Sequence, residues 1–378
     1  MSDYTARMRK TRFLMLGGFL GAGKTTAMAR AARAYMDRGL QVGLVTNDQS
    51  YDLVDTESLR AQGFRVGEVP GACFCCKFDE LTLAMSAIEA DSHPDVILAE
   101  PVGSCTDLMA TVVEPLCRLH GERFEVGPLA VLVKPEHGHK ILRDGSRAAG
   151  FSPKAAYIFL KQIEEADVVA VNKIDKYSED ERQELLRLVR ERYPAKRVLA
   201  ISALQGDGFD QLIEVLDRPP GDRAGTLSID YDVYAEGEAE LCWLNGRAQL
   251  GPAEVAFAVD DVVLQLVQGL HRRLEVLQGA EPAHVKVLGL CEEGWAMANL
   301  VSSGDQPELS CAANVRTKSL DLVVNARVAT APDSLRDAVQ AELELAVRKF
   351  GSKLKISALE CFRPARPEPT HRDVASCD

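Results

Sequence analysis

Up to about residue 217, short apolar runs alternate with segments of helical period. The runs at 13–16, 42–46, 96–99, 129–133, 168–171 and 198–201 read as strands. Between them, 25–38 (closed by Gly39), 78–89, 107–119, 153–165, 179–192 and 209–216 read as helices. Uninterrupted Val/Ile/Leu runs separated by helices predict a mostly parallel sheet covered on both faces, an α/β fold. Ligands of such folds gather at the carboxyl ends of the strands. The Pro- and Gly-rich stretch 218–226 predicts a linker after a first domain of residues 1–217. Beyond it, strand-like 229–234 and 239–243 precede a helix at 254–277, read as core. Strands at 285–290, 295–301 and 320–328, a helix at 334–350 and a strand at 354–359 follow. This order predicts a smaller α+β domain over 227–362 of β-α-β-β-α-β type, and the Pro-rich end, 363–378, reads as a disordered tail.

Composition narrows the function. Hydrophobic residues make up 46% of the 378, charged ones 26%, and the net charge is −12. That is a globular protein, too acidic for a nucleic-acid partner, with no apolar run long enough to cross a bilayer. Residues 8–20 imitate the basic and apolar regions of a secretory leader. They run straight into the motif that follows, so they read as a buried strand. Ten cysteines are too few and too uneven for a disulfide scaffold, and three fall within four positions, which points to metal binding in a reducing compartment. The expected location is cytoplasmic.

The motif is Gly18-Phe-Leu-Gly21-Ala22-Gly23-Lys24-Thr25, between a strand and a helix. Its glycines let backbone N–H groups wrap a polyphosphate, with the helix N-terminus adding positive potential. Lys24 suits the β- and γ-phosphates, and the Thr25 hydroxyl suits Mg²⁺. Asn172-Lys173-Ile174-Asp175 ends a later strand. A carboxylate there accepts from both guanine donors and would be left unpaired by adenine. Asn172 is expected to tie this loop to the phosphate loop, the Lys173 stem to lie over the base, and Ser202-Ala203 to offer an N–H to the guanine O6. The ordered set predicts GTP rather than ATP. Glu100, at another strand end, is expected to serve the Mg²⁺ region, with the Gly103 N–H sensing the γ-phosphate. Asp48 is the candidate switch residue for Mg²⁺ or the attacking water, against the plainer reading of an Asx turn.

Cys73-Phe-Cys75-Cys76 offers three soft ligands on one short loop. They suit Zn²⁺ first, with Co²⁺, Ni²⁺ or Cu(I) as alternatives, and they leave a fourth corner open. Position in sequence sets this loop between Asp48 and Glu100, so a change at the γ-phosphate could reach it. Glu136, His137 and His139 form a weaker candidate, read more simply as solvated residues of a loop. Cys105, Cys117, Cys242, Cys291, Cys311 and Cys361 read as small buried hydrophobes.

Together these motifs resemble the CobW/HypB/UreG GTPases, in particular the CobW-like branch. The resemblance covers residues 11–217. Residues 227–362 resemble that branch's second domain only in size and rough order. It implies a GTP-hydrolysing metallochaperone acting on a client metalloprotein. Gly21, Gly23, Lys24, Thr25 and Thr26 would bind nucleotide and Mg²⁺, and Cys73, Cys75 and Cys76 would bind Zn²⁺ or a similar ion. Glu100 would serve the Mg²⁺ region, and Asn172 with Asp175 the guanine. Related GTPases often dimerise across the nucleotide, which leaves a homodimer open. Two departures stand out. Asp48-Gln49-Ser50 replaces the family's usual Glu-Phe-Gly after Asn47, and the chain has only seven histidines, against metal storage. With no arginine finger evident, slow turnover is expected. The rival reading is a GTP-gated switch guarding a metal- or cobalamin-dependent enzyme with little turnover of its own.

Overall fold

The computed structural model describes residues 10–47, 54–144, 152–220 and 226–372. Two compact units emerge. One comprises 1–48, 64–230 and 367–378, the other 49–63 and 231–366.

The first unit is built on strands β1 (Thr11–Gly18), β2 (Val42–Asn47), β3 (Val66–Val69), β4 (Val96–Glu100), β5 (Phe124–Val126), β6 (Ala130–Val133), β7 (Val168–Val171) and β8 (Arg197–Ala200). They run in the order β3-β2-β4-β1-β6-β7-β8, with β5 also beside β1. Every pairing is parallel. All residues of β4, β6 and β7 are buried, as their unbroken apolar runs require of a doubly covered sheet. The helices of this unit include α1 (Lys24–Asp37), whereas α2 (Val54–Ala61) belongs to the second unit. The others are α3 (Phe78–Ser92), α4 (Glu114–His120), α5 (Pro135–Asp144), α6 (Pro153–Glu165), α7 (Glu179–Arg192) and α8 (Phe209–Leu216). Local chemistry sets several of these ends. Ser178 and Glu181 form a reciprocal capping box on α7, and Ser152 caps α6 ahead of Pro153. The helix expected over 107–119 opens instead with a widened turn at Met109–Val113 before α4.

The second unit is a six-stranded antiparallel sheet with helices α10 (Val259–Val276) and α11 (Pro332–Phe350). Strands β9 (Cys242–Leu250), β11 (Glu281–Cys291), β15 (Leu320–Ala329) and β16 (Leu354–Phe362) lie in the order β11-β15-β9-β16. Short β10 (Phe257–Ala258) pairs β14 (Arg316–Thr317), and β12 (Gly294–Leu300) and β13 (Glu308–Cys311) extend the sheet beyond β11. The chain order β9-α10-β11-β15-α11-β16 is the expected β-α-β-β-α-β, with β12–β14 inserted. Alternation along β11 and β15 separates two apolar clusters. Val285, Val287, Leu322 and Val324 join the core that includes residues of α10 and α11, while Leu288 and Val323 pack with Val54 of α2.

Four expectations change. The strand expected at 229–234 is a helix, α9 (Tyr231–Ala239), whose buried Tyr234, Gly237 and Glu238 follow helical spacing. The strand expected at 239–243 starts later, as β9. The loop expected at Glu136–His139 is the first turn of α5. Residues 363–372 of the expected disordered tail are ordered, tied to the first unit by Thr370, whose N–H donates to Cys75 O at 2.8 Å. The remainder, 373–378, lies outside the described residues.

Candidate functional site

The ends of β1 and β4 and the start of α1 bring the phosphate-loop residues and Glu100 together. The turn after β1 carries positive φ at Gly18, Gly21 and Gly23, a conformation that glycine adopts without a Cβ penalty. Space matters too, because a Cβ on Gly23 would come within 2.6 Å of Asn172 Nδ2. Lys24 and Thr25 open α1. Lys24 is 8% exposed, and its Nζ lies 3.9 Å from Glu100 Oε1. The Thr25 hydroxyl donates to the same oxygen at 3.1 Å. A hydroxyl and a carboxylate at a helix start are hard oxygen donors of the kind Mg²⁺ selects, so the residues fit that ion. A Cβ placed on Gly103 would sit 3.1 Å from Lys24 Nζ, so this glycine's backbone adjoins the lysine. Thr26 is exposed beside it. Asp48 lies outside the described residues.

The guanine-type loops are joined to the phosphate loop by side-chain bonds. Asn172 Nδ2 donates to Ala22 O at 2.8 Å, and Asn172 Oδ1 accepts from Ala203 N at 2.9 Å. One buried amide thus fastens three loops. Lys173 sits in the left-handed region at φ 64°. The Ser202 hydroxyl donates to Asp175 Oδ1 at 2.5 Å, which aims the carboxylate. Arg30, on α1, was not singled out in the sequence. Its guanidinium donates to Ala203 O and Leu204 O, each at 2.5 Å. No spacing rule links it to a turn over 170 residues away.

The thiol loop follows β3. Asn47, at the end of β2, donates from Nδ2 to Val69 O (2.8 Å) and Ala72 O (2.7 Å) and accepts at Oδ1 from Phe74 N (2.8 Å). It therefore holds the loop at its base. The sulfurs of Cys73, Cys75 and Cys76 are 2.7, 3.3 and 3.7 Å apart. A tetrahedral zinc with bonds of about 2.3 Å spaces its sulfurs by roughly 3.8 Å, close to the widest of these separations. Among the described residues this is the only cluster of three such ligands positioned to hold a metal, and no described cysteine forms a disulfide. Hydrogen bonds from Cys105, Cys75 and Cys76 hold the Cys73 thiol well below the ordinary thiol range. The same cluster pushes Cys75 up, and Cys76 up to about 12. One thiolate stabilised by neighbouring thiols is a primed soft-metal ligand.

The ordered tail clasps this loop. Glu368 N–H donates to Cys76 Sγ at 3.2 Å and the Thr370 hydroxyl to Cys76 O at 3.0 Å. Arg372 Nε pairs with the buried Asp107 at 2.7 Å, and His371 meets the Phe78 ring edge-on at 5.0 Å. The second candidate cluster does not assemble. Glu136 is held by Lys134 (2.6 Å) and Lys140 (3.0 Å). His137 is buried, and desolvation pushes it down to about 3. No helix among the described residues is long and apolar enough to cross a membrane.

The zinc chaperone YeiR of Escherichia coli (strain K12) is 26% identical over 184 residues, 47% of this chain and 51% of YeiR. The match therefore spans about half of that relative's length. The urease accessory protein UreG of Metallosphaera sedula is 28% identical over 223 residues, 54% of this chain and 92% of UreG. HypB from Helicobacter pylori, solved in complex with nickel, superposes with a TM-score of 0.41 at 16% identity, over 58% of this chain and 93% of HypB. Residues 12–200, half of the chain, match the family described as CobW/HypB/UreG, nucleotide-binding domain. The protein belongs to the CobW/HypB/UreG family, which comprises P-loop GTPases and metallochaperones.

Proposed function

We propose that this protein is a GTP-hydrolysing metallochaperone that takes a transition metal, Zn²⁺ before Co²⁺ or Ni²⁺, at Cys73, Cys75 and Cys76. It would pass the ion to a client metalloprotein or assist cofactor assembly there. The observation that carries the reading is that one unit holds both a hydrogen-bonded P-loop and guanine-type loop set and a three-thiol cluster. Asn47, at a strand end of the same sheet, bonds the base of the thiol loop.

In this reading the P-loop amides from Gly21 to Thr26 and the Lys24 ammonium bind the β- and γ-phosphates. Asp175 accepts from the guanine edge, while Asn172 and Ser202 fix the loops around it. Thr25 and Glu100 would hold Mg²⁺, which supplies charge neutralisation between the phosphates when bound. Asp48 orients the water that attacks the γ-phosphorus, and the bond to the β–γ bridging oxygen breaks to give GDP and phosphate. Lys24 stabilises the charge that spreads over the transferring group. The Gly103 amide registers loss of the γ-phosphate, the adjoining loops relax, and the ion becomes exchangeable to a client. The cargo chemistry follows YeiR and UreG, described as a zinc chaperone and a urease accessory protein.

The test is phosphate release from GTP and from ATP, with and without Zn²⁺, alongside transfer of bound zinc to a chromogenic chelator. The reading expects hydrolysis of GTP only, with zinc released faster after turnover. Equal hydrolysis of ATP, or zinc release indifferent to turnover, would overturn it.

A further inference from the structure

Two cysteines of the second unit meet across a strand pair. In the antiparallel register of β9 and β16, Leu244 lies opposite Cys361 and Trp243 opposite Phe362. Strand residues two apart share a face, so Cys242 and Cys361 are diagonal neighbours on one side of the sheet, within side-chain reach. That side carries the core that includes residues of α10 and α11, with Cys242 inside it and Cys361 packed against it. The two sulfurs are 2.9 Å apart, although 119 positions separate the residues in the chain. A disulfide bond is about 2.05 Å long, so roughly 0.9 Å remains to be closed. Cys242 is fully buried. Cys361 is half-buried on the strand that ends the sheet, which gives a small molecule a way in.

The surroundings favour a reactive pair over two inert fillers of apolar space. Arg363, just past β16, is fixed by a bond from its Nη2 to Thr330 O at 3.1 Å. The hydrogen bond from Cys361 holds the Cys242 thiol below the ordinary range against the effect of burial, and the guanidiniums of Arg363, Arg327 and Arg336 add to it. The same bond, with burial, pushes Cys361 up. The pair therefore gives up its first proton as a unit.

We propose that Cys242 and Cys361 are a redox-sensitive pair that closes into a disulfide on meeting a hydroperoxide, stapling edge strand β16 to β9. The inference is independent of the metallochaperone reading. The thiolate of the pair attacks one peroxide oxygen and the O–O bond breaks. The departing oxygen takes up a proton and leaves as water or an alcohol, and the attacking sulfur becomes a sulfenic acid. The second thiol then attacks that sulfur. The S–S bond forms, and the sulfenic hydroxyl leaves with the thiol proton as water. Two electrons pass from the two thiols to the hydroperoxide, and a thiol reductant reverses the bond by exchange. In a reducing compartment such a bond is a transient sensor rather than a scaffold. Because it closes a long loop, it also restricts the unfolded chain.

The experiment treats the reduced full chain, freed of reductant, with graded hydrogen peroxide. Remaining thiols are alkylated, the chain is digested and the peptides are read by mass spectrometry, with thermal melts alongside. Wild type is compared with Cys242→Ser, with Cys361→Ser and with the triple variant Cys73→Ser/Cys75→Ser/Cys76→Ser, which removes the thiol loop from the readout. The inference expects a peptide cross-linked through Cys242 and Cys361 in wild type and in the triple variant, lost on adding dithiothreitol. It expects the melting midpoint to rise by roughly 5–10 °C with the cross-link, and both effects to be absent from the two single variants. Cys242 and Cys361 still free in wild type, at peroxide levels that oxidise other cysteines of the chain, would overturn it whether or not the single variants fold. So would a sulfinic or sulfonic acid at either residue without a cross-link. A cross-link that leaves the melting midpoint unmoved would overturn the staple.

Discussion

The nucleotide-side loops and the thiol loop follow strands of one parallel sheet, yet they are built differently. The former are fastened to each other. Asn172 bonds both Ala22 and Ala203, Ser202 aims Asp175, and Arg30 holds the turn at Ala203 and Leu204. The thiol loop is fastened below its sulfurs through Asn47 and from the C-terminal segment at Cys75 and Cys76, while its sulfurs also bond to one another. Donors set before the ligand arrives favour selective binding, because little ordering remains to be done on association. A cluster held at its base can open and close around an ion, which suits uptake and release.

The contrast can be broken by single substitutions, and the largest effect is expected on the nucleotide side. Asp175→Ala removes two charge-assisted hydrogen bonds to guanine in the proposed complex. GTP binding should weaken by about 3 kcal/mol, roughly a hundredfold, with little change for phosphate-only ligands; titration with GTP and with inorganic triphosphate checks this. Asn47→Ala should cost about 1–3 kcal/mol of stability, since it strips partners from one buried and one half-buried carbonyl and one buried N–H. It should also lower metal affinity while leaving GTP affinity near wild type, read by thermal melts and parallel titrations.

A third prediction concerns pH. Burial pushes Glu165 up to about 8 from 4.5, so the folded chain holds a proton that the unfolded chain has lost. Stability from this group is present below pH 4.5 and drains away as pH rises toward 8. His137, pushed down from 6.5 to about 3, acts oppositely, losing stability as pH falls below 6.5. The two slopes oppose each other between 4.5 and 6.5. From 6.5 to 8 the Glu165 contribution falls by about 1 kcal/mol per pH unit, against the opposite slope of the Cys73 thiol, which is held well below the ordinary range. Denaturant melts of Glu165→Gln should remove the Glu165 slope throughout pH 4.5–8, unmasking the His137 slope between 4.5 and 6.5, and should leave the region below pH 4.5 unchanged. The smallest effect should come from ending the chain at Arg366. Loss of the Glu368, Thr370 and Arg372 contacts should speed metal exchange from Cys76 severalfold at unchanged GTP affinity, as followed by chelator competition.

Much of the first unit is legible in the sequence, for reasons visible in its elements. The runs that become β4, β6 and β7 are apolar on both faces because both faces are covered, and the phosphate and guanine motifs depend on short-range backbone geometry. Helix α2 hides because its buried positions, Val54, Thr56, Ser58 and Leu59, include two small polar residues and leave no apolar stripe. Residues 229–234 alternate like a strand, but Tyr234, Gly237 and Glu238 pack as a helical face. Arg30 and Asn47 act across long loops through hydrogen bonds that no local spacing encodes. The tail is the clearest case. A Pro-rich segment has too few apolar side chains to advertise a packed home, and it gains one through polar contacts of Glu368, Thr370 and Arg372.

In the proposed cycle the phosphate state of the nucleotide sets the metal affinity of the thiol loop. This is tested most directly by anaerobic zinc titration of wild type loaded with a non-hydrolysable GTP analogue and, separately, with GDP. Zinc should bind more tightly in the triphosphate form, with the difference abolished in Cys75→Ala. Equal zinc affinity in the two nucleotide states would contradict it.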